Sequence, residues 1–120
     1  MKVLPWKSEI AAPWKRALDL KDLRMTDGGL HIEIEEESGR SWNLDFKPVQ
    51  AWRVTSEECA GNLIARLPAE GALFLVRESD WRKELDDAET VQKSEHFIVC
   101  CYDEVIEVLA WDCSVTPVIR

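Results

Sequence analysis

The stretch 94–111, SEHFIVCCYDEVIEVLAW, leaves a chain of this length few ways to fold. Residues 96–102 are apolar at almost every position and rich in branched or aromatic side chains, as in a strand covered on both faces. Asp103-Glu104 then provides a tight connection, and 105–111 is again apolar except at Glu107. The segment predicts two neighbouring antiparallel strands, or one long bent strand, at the centre of a sheet. The rest of the chain reads as material that covers it.

Two further regions carry clear periodicity. Asp27-Gly28-Gly29 is a turn, and after it Leu30, Ile32 and Ile34 alternate with His31, Glu33 and Glu35. Ser38-Gly39-Arg40 makes the next turn, and Trp42, Leu44 and Phe46 alternate with Ser41, Asn43 and Asp45, so a meander is expected. Pro48 ends that strand or marks an edge, and 49–55 is a further strand. Thr55 and Glu58 have capping-box spacing, Cys59, Leu63, Ile64 and Leu67 share a helical face, and Pro68 forbids continuation. These signals predict a main helix over 56–67. A short strand over 72–76 and a short helix over 80–87, capped by Ser79 or Asp80, follow. Residues 86–95 read as an exposed connection, and Pro117 and Arg120 mark the end of a last extended segment containing Val115 and Val118. At the other end, Pro5-Trp6 and Pro13-Trp14 make residues 1–20 a less regular segment. The expected fold is one α+β domain over 1–120, a mostly antiparallel sheet of about five to seven strands with helices 56–67 and 80–87 packed on it.

Composition bounds the function. With 46% hydrophobic and 32% charged residues, the 120-residue chain suits a soluble single domain. No apolar run approaches the roughly 20 residues that span a bilayer. The opening MKVLPWKSEIAAPWKR has no continuous apolar core of a secretory signal, so a cytoplasmic protein is expected. Cys59, Cys100, Cys101 and Cys113 form no CxxC pair and no zinc spacing, and read as thiols acting as small hydrophobes. No metal or cofactor is implied. The net charge is −8, and it is unevenly spread. Residues 1–24 hold six basic and three acidic side chains, whereas the remaining 96 hold nine and twenty. Such a surface repels nucleic-acid phosphates and anionic membranes, and attracts a basic protein.

Catalytic constellations are sparse. His31 and Glu33 share the outer face of one strand, a pairing with too few ligands for a metal. His96 opens a strand that reads as buried, and Cys59 or Cys113 beside it would make a thiol–imidazole pair. No GxSxG, HExxH, P-loop or GxGxxG motif is present. A small enzyme or ligand-binding domain with a pocket near His31, His96 or Cys113 is therefore the alternative to a binding protein. What exceeds background is six tryptophans and three acidic groups. Trp42, Trp52 and Trp111 fall in strand patterns and are expected in the core, leaving Trp6, Trp14 and Trp81 as candidate interface anchors. The acidic groups are Glu33, Glu35, Glu36 and Glu37; Glu84, Asp86, Asp87 and Glu89; and Asp103, Glu104, Glu107 and Asp112. Partner contacts are expected at Glu33, Glu35, Glu37, Trp81, Asp86, Asp87, Asp103, Glu104 and Glu107. Two of these groups converging beside an exposed tryptophan would make an acidic, aromatic-anchored surface.

The arrangement AWRVTSEE, FLVRESDW and HFIVCCYDEVIEVLAWD resembles small bacterial proteins of uncharacterised families, some of them similar to immunity proteins of polymorphic toxin and contact-dependent inhibition systems. That resemblance implies a cytosolic, non-catalytic protein that blocks a basic toxin through acidic side chains. It carries over no residue roles. A homodimer built by edge-strand pairing is a third expectation.

Overall fold

The alternating and continuous apolar runs build two separate antiparallel sheets. The computed structural model describes residues 2–7 and 9–119. Met1, Ser8 and Arg120 lie outside the described residues, and with Arg120 the expected end of the last extended segment. Nine strands occur in chain order: β1 (Lys2–Pro5), β2 (Asp19–Thr26), β3 (Gly29–Glu35), β4 (Ser41–Phe46), β5 (Val49–Ser56), β6 (Leu73–Arg77), β7 (Glu95–Cys100), β8 (Glu104–Ala110) and β9 (Cys113–Pro117). Three short helices are interspersed: α1 (Gly61–Arg66), α2 (Asp80–Glu84) and α3 (Glu89–Gln92). One sheet has the order β1-β6-β7-β8-β5 and the other β2-β3-β4-β9.

The hairpin β7–β8 is the middle of the five-stranded sheet, and from His96 through Cys101 and Val105 through Ala110 every side chain is buried. Its two faces have different neighbours. Phe97 packs against Phe46 of β4 with ring centroids 5.2 Å apart and against Trp6 at 5.0 Å, so this face meets the four-stranded sheet. His96, Ile98 and Glu107 point the other way, toward Leu63 of α1 and Trp81 of α2. Leu30, Ile32, Ile34, Leu44 and Phe46 supply the opposing layer, each almost wholly buried. A fully buried side chain of this size is worth about 1.5–3 kcal/mol. The meander also has the expected phase, with His31, Glu33 and Asp45 on the solvent side. Its first turn requires glycine: Gly28 has φ 72°, and a Cβ on Gly29 would sit 2.6 Å from the Phe46 carbonyl.

The chain changes sheets after β1, after β4 and after β8, and the last two corners are adjacent. The β4–β5 corner contains a cis Lys47–Pro48 peptide. Lys47 N–H donates to the Asp112 carbonyl and Trp111 N–H to the Pro48 carbonyl, which binds this corner to the β8–β9 crossover.

Several expectations need correction. The fold is not a single sheet of five to seven strands carrying one main and one short helix: among the described residues there are nine strands in two sheets and three α-helices of at most six residues. No continuous helix spans 56–67. Thr55 and Ser56 are used by β5, where they pair with Val105 and Glu104, so the capping box never forms. A 3₁₀ turn (Glu57–Cys59) follows, and α1 restarts only at Gly61 with no side-chain cap. Over 80–87, α2 stops at Glu84, and Leu85 is already extended. Trp52 and Trp111 are not core residues: both are exposed, one on an edge strand and one at the crossover. The N-terminal segment contains a strand, β1, paired with β6.

Candidate functional site

Two places concentrate chemistry-bearing side chains. The first is a cleft of about 320 Å³ on the helix-covered face of the five-stranded sheet. Antiparallel register puts Arg53 beside Glu107 and Glu107 beside Ile98, and His96, two residues from Ile98 on the same face, reaches Glu107 diagonally. Glu107 accepts from Arg53 Nε at 2.6 Å and Nη2 at 3.2 Å, and its Oε1 lies 2.9 Å from His96 Nε2. His96 Nδ1 is 2.7 Å from Ser79 Oγ, and that oxygen also accepts from the Arg82 amide as the N-cap of α2. Trp81 stands edge-on to the imidazole at 5.2 Å, and its ring carries the Arg53 guanidinium at 4.2 Å. Burial would raise the Glu107 carboxyl, but the hydrogen bonds and charges of His96 and Arg53 outweigh it and hold it below the usual carboxylate range.

This row resembles a serine–histidine–carboxylate set in its members and differs in its access. Ser79, His96 and Glu107 are all buried, both imidazole nitrogens are engaged, and the serine oxygen caps a helix. A catalytic set also engages both ring nitrogens, so what sets this row apart is that Ser79 Oγ is buried and accepts from the Arg82 amide as a helix cap. The row satisfies its own buried charges and fixes α2 to the sheet.

The other sequence-stated chemistry is dispersed. His31 lies on the open face of the four-stranded sheet, its Nδ1 2.7 Å from Asp45. Cys113 belongs to that sheet and Cys59 to the exposed 3₁₀ turn, so neither thiol joins the His96 row. Burial pushes the Cys100 thiol up to about 11, with Arg16 and Lys15 opposing, and raises Cys101 and Cys113 as well. Among the described residues no group of three or more His, Cys, Asp or Glu side chains is placed to hold a metal ion.

The second place is the end of the molecule where the β7–β8 turn meets the start of β2. Trp14 and Tyr102, both more than 40% exposed, touch edge to face with centroids 6.3 Å apart. Trp14 donates its indole N–H to Glu37 at 2.8 Å, which joins the β3–β4 turn to the pair. Asp19 stands opposite Glu35 in the β2–β3 register, and Tyr102 N–H donates to the Leu18 carbonyl next to it. Asp103 and Glu104 follow immediately. Burial raises the Glu104 carboxyl, and the charges of Asp103 and Asp19 push it further up. Two cations reach this end: Arg16 lies over the Tyr102 ring at 4.8 Å while bonding the Tyr102 carbonyl and Glu57, and Lys21 reaches Glu35 at 3.8 Å.

The nine expected partner contacts therefore separate. Glu35, Glu37, Asp103 and Glu104 come together around Trp14 and Tyr102, and Glu33 continues along β3. Asp86 and Asp87 lie between α2 and α3, with Asp86 accepting from the Ala88 amide. Trp81 lines the cleft, and Glu107 forms its floor rather than any outer surface. Sequence reasoning missed Tyr102, Asp19 and Trp14's place beside them. The repeated Pro-Trp pair marked Trp14, but nothing local says that residues 14, 37 and 102 meet. Glu36 also has a different role from its acidic neighbours: it is buried and accepts from the Trp42 indole at 2.7 Å, the Ala11 amide and the Ser38 hydroxyl. Those bonds and the Arg40 charge overcome burial and lower its carboxyl.

Comparison with known proteins finds no matching family model, no curated relative and no similar solved structure.

Proposed function

We propose that this chain is a non-catalytic binding protein that engages a basic protein partner through the acidic, aromatic end around Trp14 and Tyr102, in the manner of an immunity protein that covers a toxin's anion-binding surface. The observation that carries the reading is the gathering of Asp103, Glu104, Asp19 and Glu37 around the exposed Trp14–Tyr102 pair, where burial first, and then the charges of Asp103 and Asp19, raise the Glu104 carboxyl. Opposite charge from a partner would relieve that repulsion. The exposed Trp14–Tyr102 pair offers large, rigid area next to it, the residue types that dominate interface energetics. A cytoplasmic setting belongs to the same proposal and agrees with four free cysteines.

Co-expression with the product of the adjacent gene, followed by affinity measurement at rising salt, tests the reading. Asp103→Lys with Glu104→Lys is expected to weaken binding by at least about tenfold, or roughly 1.4 kcal/mol, and to flatten the salt dependence. Equal affinity of the double variant would sink the assignment of this surface.

A further inference from the structure

The two sheets leave four edges, and they differ in how well they are defended. A strand paired on one side directs alternate N–H and C=O groups outward, and natural edges are blunted by shortness, proline, charge or bulges. β1 has four residues and ends in Pro5, and β9 has five and ends in Pro117. β2 is longer but carries Asp19, Lys21, Asp22 and Arg24 and a bulge between Leu20 and Asp22. β5 has eight residues, VQAWRVTS, without an internal proline. Its one irregularity lies at its beginning, between Val49 and Ala51, and its one charge, Arg53, is bound to buried Glu107.

The same strand exposes apolar side chains on the face where the rest of the sheet is buried. Trp52 and Val54 stand opposite Val108 and Ile106, both core residues, yet they remain 36% and 46% exposed. Met25, opposite buried Leu30 on β2, is 55% exposed. β2 follows the same flank as β5: Val49 N–H donates to the Gly28 carbonyl at one end, and Glu57 and Tyr102 bond to Asp103 and Leu18 at the other. The seam between the sheets is thus open along this flank, and its apolar lining is uncovered.

We infer that β5 is a self-association edge, on which a second copy of this chain pairs its own β5 antiparallel to make one continuous ten-stranded sheet. A two-fold axis perpendicular to the sheet keeps each face on its own side. Centred on Arg53, it sets Trp52 of one copy against Val54 of the other, twice, and so covers the four exposed apolar side chains together. Charge selects a second copy over a basic partner here. Both copies carry −8 and repel at long range, so contact is tolerated only on a strip without net charge; β5, whose one charge is bound to Glu107, is such a strip, and it offers a basic partner no free anion. The acidic end lies at the Ser56 end of the same strand, where Glu104 stands opposite Ser56, three residues from the axis.

Sedimentation equilibrium of the full chain over low to high micromolar concentration tests the inference. The wild type is expected to approach twice the chain mass, Val54→Lys to remain at the single-chain mass with an unchanged circular dichroism spectrum, and Thr116→Lys on the β9 edge to behave as wild type. A wild type that stays monomeric throughout, or a Val54→Lys variant that still doubles, overturns it. If the lysine variant loses its fold, hydrogen exchange of the wild type decides: β5 amides that slow with rising concentration support the pairing, and concentration-independent exchange refutes it.

Discussion

Glu104 and Glu107 lie three residues apart on β8, and their surroundings move their carboxyls in opposite directions. Glu107 is deeper, and burial acts on it strongly, but Arg53 and His96 donate directly to it and hold it ionised. Glu104 is only partly buried, has no cation on it, and faces Asp103 and Asp19. One carboxylate is consumed in holding the fold, and the other is left for something outside. Their place on the strand does not distinguish them, whereas the residue facing each across the β5–β8 ladder does: Glu107 has Arg53 opposite it, and Glu104 has Ser56.

The sharpest way to break this contrast is Glu107→Ala. The substitution leaves buried His96 without its partner, while half-exposed Arg53 can turn to water, so the cost is expected at about 2–3 kcal/mol, below the roughly 3–5 kcal/mol of a wholly buried pair. Chemical denaturation at neutral pH is expected to show a loss of that order, and a loss below 1 kcal/mol would mean that the row is not a structural element. Next in size is Glu36→Ala, which orphans the Trp42 indole and frees the Ala11 amide. About 1–3 kcal/mol is expected for leaving buried donors unsatisfied. A control of the same residue classes is His31→Ala, since the His31–Asp45 pair lies on an open face and exposed pairs contribute at most about 1 kcal/mol.

Acid titration tests the same contrast without mutation. Glu107 and Glu36 have folded-state carboxyls below the ordinary value of 4.5, so the unfolded chain binds their protons first as pH falls. Their stabilisation is fully present above 4.5 and is lost below it as pH drops through their folded values. Glu104 runs the other way: its raised carboxyl takes up a proton in the folded state first, which favours folding as pH falls. The first effect is expected to dominate, so measured unfolding free energy should decline with acidification, and more shallowly in Glu107→Gln than in wild type.

What was legible follows from which physical signal is local. The β7–β8 hairpin and the β3–β4 meander were readable because strand burial writes itself as a run or an alternation within a few residues. The 56–67 helix does not form because Thr55, which with Glu58 has capping-box spacing, and Ser56 are committed to a ladder with β8, a long-range competitor invisible in the segment itself. The same blindness covers the tryptophans. Trp52 has the alternation of a core residue and a core residue opposite it, but β5 is an edge, and only topology reveals that. Of the surface residues proposed from sequence, those in the two turns and the β3 end were found together because Leu18, Trp14 and Tyr102 join the two sheets there, while Glu107 looked like an exposed acid and is an interior one.

The smallest effect separates a functional carboxylate from a structural one most cleanly. Glu104→Gln removes a charge that Asp103 and Asp19 oppose, and keeps the side chain's size. If this glutamate served the fold, the change would cost stability, as at Glu107. Because its neighbours repel it, the change is expected instead to stabilise the chain by a few tenths of a kcal/mol at neutral pH, the usual scale for an exposed charge. The gain should shrink as pH falls, since wild-type Glu104 then takes up the proton that the amide replaces. Paired measurements of thermal midpoint and partner affinity on this one variant separate the two roles: the midpoint is expected to rise while affinity falls, and a fall in both would place Glu104 with Glu107 among the residues that hold the sheet together.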